Sequence, residues 1–265
     1  MNRIQKVFEE KETDSKLMSL FLTAGFPDLD ATVDLILGFE KNGADIIELG
    51  MPFSDPLADG PTIQYSSDTA IKNGVTMNHI FDMVQKVRTQ SDIPIVLMGY
   101  INPVLHYGIE KFCQKANEVG VDGLIIPDIP IEEGSIIEND AREYELSMIY
   151  LVAPNTTDER MKQADEKSEG FVYCVSVTGV TGAREGEEVS KSVNRFIERV
   201  RQNINHNPVM IGFGIKTHED ANDIALNADG FIVGSALIDN IKSNYPGDDW
   251  KKNIFSFVHS LKYGD

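Results

Sequence analysis

The segment Asp45-Ile-Ile-Glu48-Leu-Gly50-Met-Pro-Phe-Ser-Asp55-Pro-Leu-Ala-Asp59-Gly60-Pro-Thr-Ile-Gln64 holds two carboxylates in contrasting settings. Glu48 lies in an apolar run that reads as a strand. Alternate residues of a strand share a face, so Glu48 points the same way as Ile46, towards the interior. Ionising an unpaired carboxylate there is costly, which raises its pKa from about 4.3 towards neutrality. Such a group can give and take protons near pH 7. Pairing with a lysine or capping by backbone amides would instead make it structural, and strand position alone leaves both readings open. Asp59 belongs to an Asp-Gly-Pro sequence, an ordinary turn in which Asp accepts backbone N–H bonds. It gains weight from Glu48, because a long proline-containing loop after the strand can carry a second carboxylate over the same pocket.

A second group lies near the end of the chain. Gly212-Phe213-Gly214 and Gly234-Ser235 each follow an apolar run. Glycines let a backbone approach an anion closely, and amide dipoles supply positive potential without Lys or Arg. Each glycine alone is equally a tight turn; the pair suggests a phosphate site. The dinucleotide fingerprint does not fit, because Thr217 stands where its third glycine should be. Thr178-Gly-Val-Thr181-Gly182-Ala-Arg184-Glu-Gly186 reads as a candidate lid or a plain connection, with Thr181 in reach of Asp59. Phe21, Tyr100 and Tyr173 are candidates to line an apolar ligand pocket, and each is equally at home in a core. The five histidines are scattered, with no HxxxH or CxxC spacing, so no metal site is expected. No Gly-x-Ser-x-Gly elbow is present, and Cys113 and Cys174 read as packed thiols.

These residues need elements to hold them. Eight short β-branched runs recur with amphipathic segments between them: Leu17–Thr23, Asp45–Gly50, Ile95–Tyr100, Gly123–Ile126, Ser147–Val152, Phe171–Val175, Val209–Gly212 and Gly230–Val233. Most are apolar on both faces, as strands buried between a barrel interior and an outer helix ring should be. Helices are expected over Asp30–Asn42, Asn78–Gln90, Glu110–Val119, Glu132–Tyr144, Asp158–Lys167, Ser190–Asn203, His218–Leu226 and Asp249–Leu261, with Asp30 and Asp158 as caps. Ile80, Met83, Val84 and Val87 mark one helix face. The polar start, Asn2–Glu12, reads as an extra helix closing the barrel bottom. The pattern predicts an α/β fold, a (β/α)₈ TIM barrel with an extra N-terminal helix, forming one domain over residues 1–265. A doubly wound open sheet is the other arrangement that this periodicity allows.

The 24 Lys+Arg against 42 Asp+Glu leave a formal net charge of −18, which argues against nucleic acid and anionic membranes as partners. Two cysteines and a polar start without a signal-like apolar stretch suggest a reduced, cytoplasmic setting. Any anionic ligand must then be held by local groups rather than by net charge.

The run Glu48-Leu-Gly-Met-Pro-Phe-Ser-Asp-Pro-Leu-Ala-Asp-Gly-Pro-Thr-Ile-Gln64 closely resembles the signature of the tryptophan synthase alpha chain family. So do Phe21-Leu-Thr-Ala-Gly25, Gly179-Val-Thr-Gly182, Gly212-Phe-Gly214 and Val233-Gly-Ser235, in order from about residue 15 to residue 240. The resemblance implies a barrel that cleaves indole-3-glycerol phosphate to indole and glyceraldehyde 3-phosphate by a retro-aldol reaction, the last stage of tryptophan biosynthesis. It implies Glu48 as the general acid/base at indole C3 and the side-chain hydroxyl, with Asp59 accepting the indole N–H. Phe21, Tyr100 and Tyr173 would line the indole pocket. Gly182, Phe213, Gly214, Gly234 and Ser235 would hold the phosphate, and Thr181 would bond Asp59. Pro52–Pro56 and the Asn102-Pro103 loop would face a beta subunit in an alpha2beta2 heterotetramer. That subunit carries pyridoxal phosphate; no cofactor is implied on this chain. After Gly182 the loop departs from the family in being more acidic, with an extra glycine. Two other functions stay open beside this one: a different phosphate-binding barrel enzyme of amino-acid biosynthesis, and a non-catalytic subunit that activates a partner.

Overall fold

The computed structural model describes residues 2–12, 15–175, 187–225 and 227–264. Its strands are β1 (Leu17–Thr23), β2 (Ile46–Gly50), β3 (Ile95–Met98), β4 (Gly123–Ile125), β5 (Ser147–Met148), β6 (Leu151–Val152), β7 (Val172–Val175), β8 (Val209–Gly212) and β9 (Gly230–Val233). All pair in parallel, in the order β5-β4-β3-β2-β1-β9-β8-β7-β6. The two ends of that order are consecutive in the chain. Ile149 donates its N–H to Leu124 O (3.0 Å), and Tyr173 donates to Tyr150 O (3.0 Å). Residues 147–152 therefore form one stave that pairs with β4 through its first half and β7 through its second. The sheet closes, and the nine ladder segments are the eight staves of a (β/α)₈ barrel. The sequence reading had this stave as one unbroken strand; the hand-over from one neighbour to the other divides it.

Closure creates an inside. Leu17, Ile46, Val96, Ile125, Ile149, Phe171, Met210 and Ile232, one from each stave, form a buried cluster that Ile4 joins from below. Ile4 belongs to α1 (Arg3–Glu10), whose N-terminus is capped by the Asn2 side chain accepting from Ile4 N–H at 2.9 Å. Phe8 of α1 sets its ring 6.1 Å from that of Phe171. The first helix thus plugs the bottom of the barrel, as its polar and apolar pattern predicts.

Outside the sheet run α2 (Ala31–Lys41), α3 (Pro61–Lys72), α4 (Met77–Arg88), α5 (Ile101–Tyr107), α6 (Ile109–Val119), α7 (Ser135–Glu143), α8 (Asp158–Lys167), α9 (Glu187–Asn203), α10 (His218–Ala225), α11 (Ser235–Asn244) and α12 (Trp250–Tyr263), with a 3₁₀ turn at Ile131–Glu133. Ile80, Met83, Val84 and Val87 are buried together on α4. Asp30 does stand at the N-cap of α2 but makes no side-chain cap bond, and the cap of α8 is Thr157, one residue before the expected Asp158. At α2 the carboxylate of Asp28 accepts from the N–H groups of Asp30 (2.9 Å) and Ala31 (2.8 Å). At α8 the Thr157 hydroxyl accepts from Arg160 N–H, leaving Asp158 in the first turn, where the helix dipole favours its charge. Helices α3, α5 and α11 were not read from the sequence. The buried residues of α3 are Ser66, Ser67 and Ala70, which make no apolar stripe. The α5 helix has seven residues and carries Pro103 in its first turn, where no N–H is needed.

Asp122 ties the bottom of the structure together. Its carboxylate, 3% exposed, accepts from Ile95 N–H (2.8 Å), Arg88 Nη2 (2.7 Å) and Arg3 Nη1 (3.0 Å). Arg88 also donates to the carbonyls of Gly120 and Ile93. Burial is the largest influence on both groups, raising the carboxyl and lowering the guanidinium. Asp122→Ala should therefore leave a buried cation without its partner and lower the unfolding free energy by about 3–5 kcal/mol in urea titration. A loss below about 1 kcal/mol would show that the pair is dispensable.

Candidate active site

Glu48 stands at the middle of β2, one alternate position above Ile46 of the apolar interior cluster. Its register partners are Phe21 on β1 and Val96 on β3. The side chain is fully buried. Burial pushes the carboxyl up to about 7, against the opposing pull of a 2.7 Å hydrogen bond donated by Ser19 Oγ to Oε1. Among the described residues Oε2 has no hydrogen-bond partner. Among the described residues neither a lysine nor a backbone amide meets the Glu48 carboxyl, so the partners that would make it purely structural are not among them.

Asp59 sits in the turn between β2 and α3, where its N–H bonds Pro56 O at 3.1 Å and Gln64 Nε2 bonds its carbonyl at 2.8 Å. Pro61 at the first position of α3 fixes where that turn ends. Burial raises the Asp59 carboxyl, and a hydrogen bond from the Tyr100 hydroxyl holds the rise back. The same hydroxyl accepts from Ala58 N–H at 2.9 Å, and the Tyr100 ring lies 5.4 Å from that of Phe53. Tyr100 is not the last residue of a strand, as its position suggested. The ladder stops at Met98, and Tyr100 is the extended N-cap of α5. Asn102 and Pro103 lie in the first turn of that helix rather than in a loop.

Tyr173 projects from β7 into the same space. Its phenol is pushed up by burial and by the carboxylates of Glu48 and Asp59. A Cβ built on Gly212 would lie 2.8 Å from the Tyr173 hydroxyl, and one on Gly50 would lie 2.6 Å from the Phe21 ring. These two glycines make room for aromatic rings at the top of the barrel. Glu48, Asp59, Phe21, Tyr100 and Tyr173 thus converge.

The glycine loops lie at the same C-terminal end. Gly214 has φ +68°, a conformation that side chains resist. Phe213 packs its ring 5.9 Å from Phe196. Gly234 is the N-cap of the ten-residue α11, which has no side-chain cap, and its first helical bond runs from Ile238 N–H to Gly234 O at 3.1 Å. The amides of Ser235, Ala236 and Leu237 precede that bond. Thr181 and Gly182 lie outside the described residues.

Sequence reasoning passed over Ser19. The signal was present: a hydroxyl two residues before Phe21 in an apolar run shares the face of Phe21 and must look inward. A cleft of about 1050 Å³ at the opposite, N-terminal end is lined by Arg3, Arg88, Asp92 and Asp122, charges that satisfy one another.

The sequence profile of the tryptophan synthase alpha chain family matches residues 8–259. The tryptophan synthase alpha chain of Thermoanaerobacter sp. (strain X514) is 49% identical over 263 residues, 99% of each chain. That of Geobacter sulfurreducens is 44% identical, over 99% of this chain and 98% of the relative. Tryptophan synthase subunit alpha from Legionella pneumophila superposes with a TM-score of 0.90 at 37% identity, over 100% of this chain and 98% of the other. Tryptophan synthase from Mycobacterium tuberculosis in an aminoacrylate-bound form has a chain that superposes with a TM-score of 0.87 at 31% identity, over 100% and 99%.

The Tyr100 contact makes a prediction of its own. A hydrogen bond to the charged form of a carboxyl favours ionisation, so removing it must raise the pKa. Tyr100→Phe should move the carboxyl titration of Asp59 upward by about one pH unit in a ¹³C NMR experiment. An unmoved titration would show that the contact is not made in solution.

Proposed function

The chain belongs to the tryptophan synthase alpha chain family, and from that premise we infer how its two carboxylates divide the work. The enzyme is a lyase of tryptophan biosynthesis that cleaves indole-3-glycerol phosphate to indole and glyceraldehyde 3-phosphate. The bond that breaks joins indole C3 to the side-chain carbon bearing a hydroxyl. In our reading Glu48 starts as the neutral acid and gives its proton to C3, which leaves the ring positively charged. Asp59, ionised, accepts the indole N–H and stabilises that charge. Glu48, now a carboxylate, removes the hydroxyl proton; the C–C electron pair returns to the ring, and the aldehyde departs. Glu48 ends protonated, ready for the next turn. The observation that carries this assignment is a fully buried carboxyl poised at about 7 in the space shared with a second carboxylate.

Phe21, Tyr100 and Tyr173 would enclose the indole. Gly182, Phe213, Gly214, Gly234 and Ser235 would hold the phosphate by main-chain N–H groups, with Thr181 bonding Asp59. The uncapped N-terminus of α11 supports the phosphate assignment. We further assign the face bearing Pro52–Pro56 and Asn102-Pro103 to a beta subunit in an alpha2beta2 assembly. Leu57, 96% exposed, and Leu105, 50% exposed, lie on or beside those segments and gain by being covered. Pyridoxal phosphate belongs in this reading to the beta partner. Among the described residues no helix is long and apolar enough to cross a membrane, in keeping with a cytoplasmic location.

Three experiments test the reading, all by indole release from indole-3-glycerol phosphate with and without a beta subunit. Glu48→Gln keeps the shape and removes the transferable proton, so turnover should fall by about 10²–10⁴-fold while binding of a phosphate ligand persists. In the parent enzyme Glu48 must begin protonated, so activity should fall as pH rises through about 7. Asp59 must be ionised, so activity should also fall on the acid side, at a pH above that of an ordinary aspartate. Near-normal turnover of Glu48→Gln would overturn the assignment. Ser235→Asp puts a negative charge at the α11 N-terminus and should raise KM by about tenfold or more; an unchanged KM would place the phosphate elsewhere.

A further inference from the structure

The two oxygens of Glu48 are not equivalent. Oε1 accepts from the Ser19 hydroxyl at 2.7 Å, with both side chains fully buried, while Oε2 has no partner among the described residues. Buried polar atoms are normally satisfied, so a buried carboxyl oxygen with no partner among the described residues is free to meet a group that arrives with the ligand. Ser19 is paired with Ile46 in the β1–β2 register, one inward position below the Phe21–Glu48 pair. Its hydroxyl therefore reaches Glu48 diagonally across the ladder, from the side of the apolar floor.

We propose that Ser19 is a positioning residue of the reaction: by holding Oε1 it fixes the orientation of the Glu48 carboxyl and assigns both proton transfers to Oε2. The inference rests on the acid–base reading of Glu48 given above. A serine hydroxyl carries one proton. Donated to Oε1, it bonds the carboxylate and the neutral acid alike, provided that the acid proton sits on Oε2. The carboxyl then needs no rotation between giving a proton to carbon and taking one from the hydroxyl. Without Ser19 the two oxygens become interchangeable and the carboxyl loses its fixed orientation, so only a minor part of the acid population presents its proton in line with the substrate.

Among the described residues the other groups around Glu48 do not substitute for Ser19. Val96 faces it from β3 and Phe21 from β1. From β7 the Tyr173 phenol lies within the field of Glu48 and of Asp59 above it. The influences on Glu48's own titration are burial, which raises it, and the Ser19 hydroxyl, which lowers it.

The test uses the full chain with its beta partner and compares Ser19→Ala, Ser19→Cys and Ser19→Thr, each first shown to be folded by circular dichroism. In Ser19→Ala the alkaline limb of kcat and the ¹³C titration of Glu48 should move up together by about one pH unit. At the optimum kcat should fall about tenfold with KM within about twofold. Ser19→Thr, which keeps the hydroxyl, should return both towards the parent. If Ser19→Ala does not fold, the nearly isosteric Ser19→Cys is read in its place and should move the limb in the same direction, its thiol being a weak donor. An alkaline limb that stays where it is, or a KM that changes as much as kcat, overturns the proposal. If Glu48→Gln is inactive while the Ser19→Ala limb is unmoved, only the Ser19 inference fails; an active Glu48→Gln removes the acid–base reading as well.

Discussion

A carboxyl group standing inside a hydrophobic barrel is the constraint around which this structure is organised. Eight staves each lend one apolar side chain to the floor beneath Glu48, and the first helix inserts Ile4 from below. Water is kept from the carboxyl, and the resulting cost of ionisation lifts it to about 7. The same desolvation would destabilise the fold if the group were forced to stay charged. A neutral acid avoids that cost, which is why a buried glutamate can be tolerated where a permanently ionised group would need a partner. Asp122 at the other end of the barrel shows the alternative. It is nearly as buried, yet two arginines and a backbone amide meet it, and its work is to hold α1, α4 and two staves together.

The two carboxyls of the site differ because their supports differ. Glu48 is held by a regular strand and answers mainly to burial. Asp59 is held by a turn, and Tyr100, itself placed at the start of α5, supplies a donor that restrains its pKa. The proposed division into a proton carrier and an electrostatic stabiliser rests on that difference. A formal charge of −18 does not forbid an anionic ligand in such a molecule. Backbone amides at a helix N-terminus act over a few ångströms, whereas the distant acidic surface is screened by salt.

The element pattern was readable in most places where burial imposed a period, the exception being α11, which buries Leu237, Ile238 and Ile241. The eight staves stand out as short runs mostly apolar on both faces, and α4 carries its apolar residues at the spacing that one covered face demands. The helices α3 and α5 escaped notice because neither presents such a face: α3 buries serines and an alanine, and α5 is under two full turns. Asp30 holds the N-cap position of α2 while Asp28 supplies the accepting carboxylate, and at α8 the cap is Thr157 rather than Asp158, since several neighbouring Asp and Thr side chains are equally able to accept the first amides. The choice among them depends on the path by which the chain enters the helix.

Residue types and spacing alone established a parallel α/β repeat, an inward glutamate on the second stave, an aspartate on the loop after it, and glycines after the last two staves. Those follow from strand alternation and from the chain's order. Closure was beyond them, because it is made by residues 147–152 pairing with β4 on one side and β7 on the other, a contact between segments far apart in sequence. So was the meeting of Tyr100 from the third unit and Tyr173 from β7 with the carboxyls of the second, and the bond between Ser19 and one oxygen of Glu48. Period and propensity act between neighbours in the chain, whereas desolvation and hydrogen bonding act between neighbours in space, and only the closed barrel decides who those are.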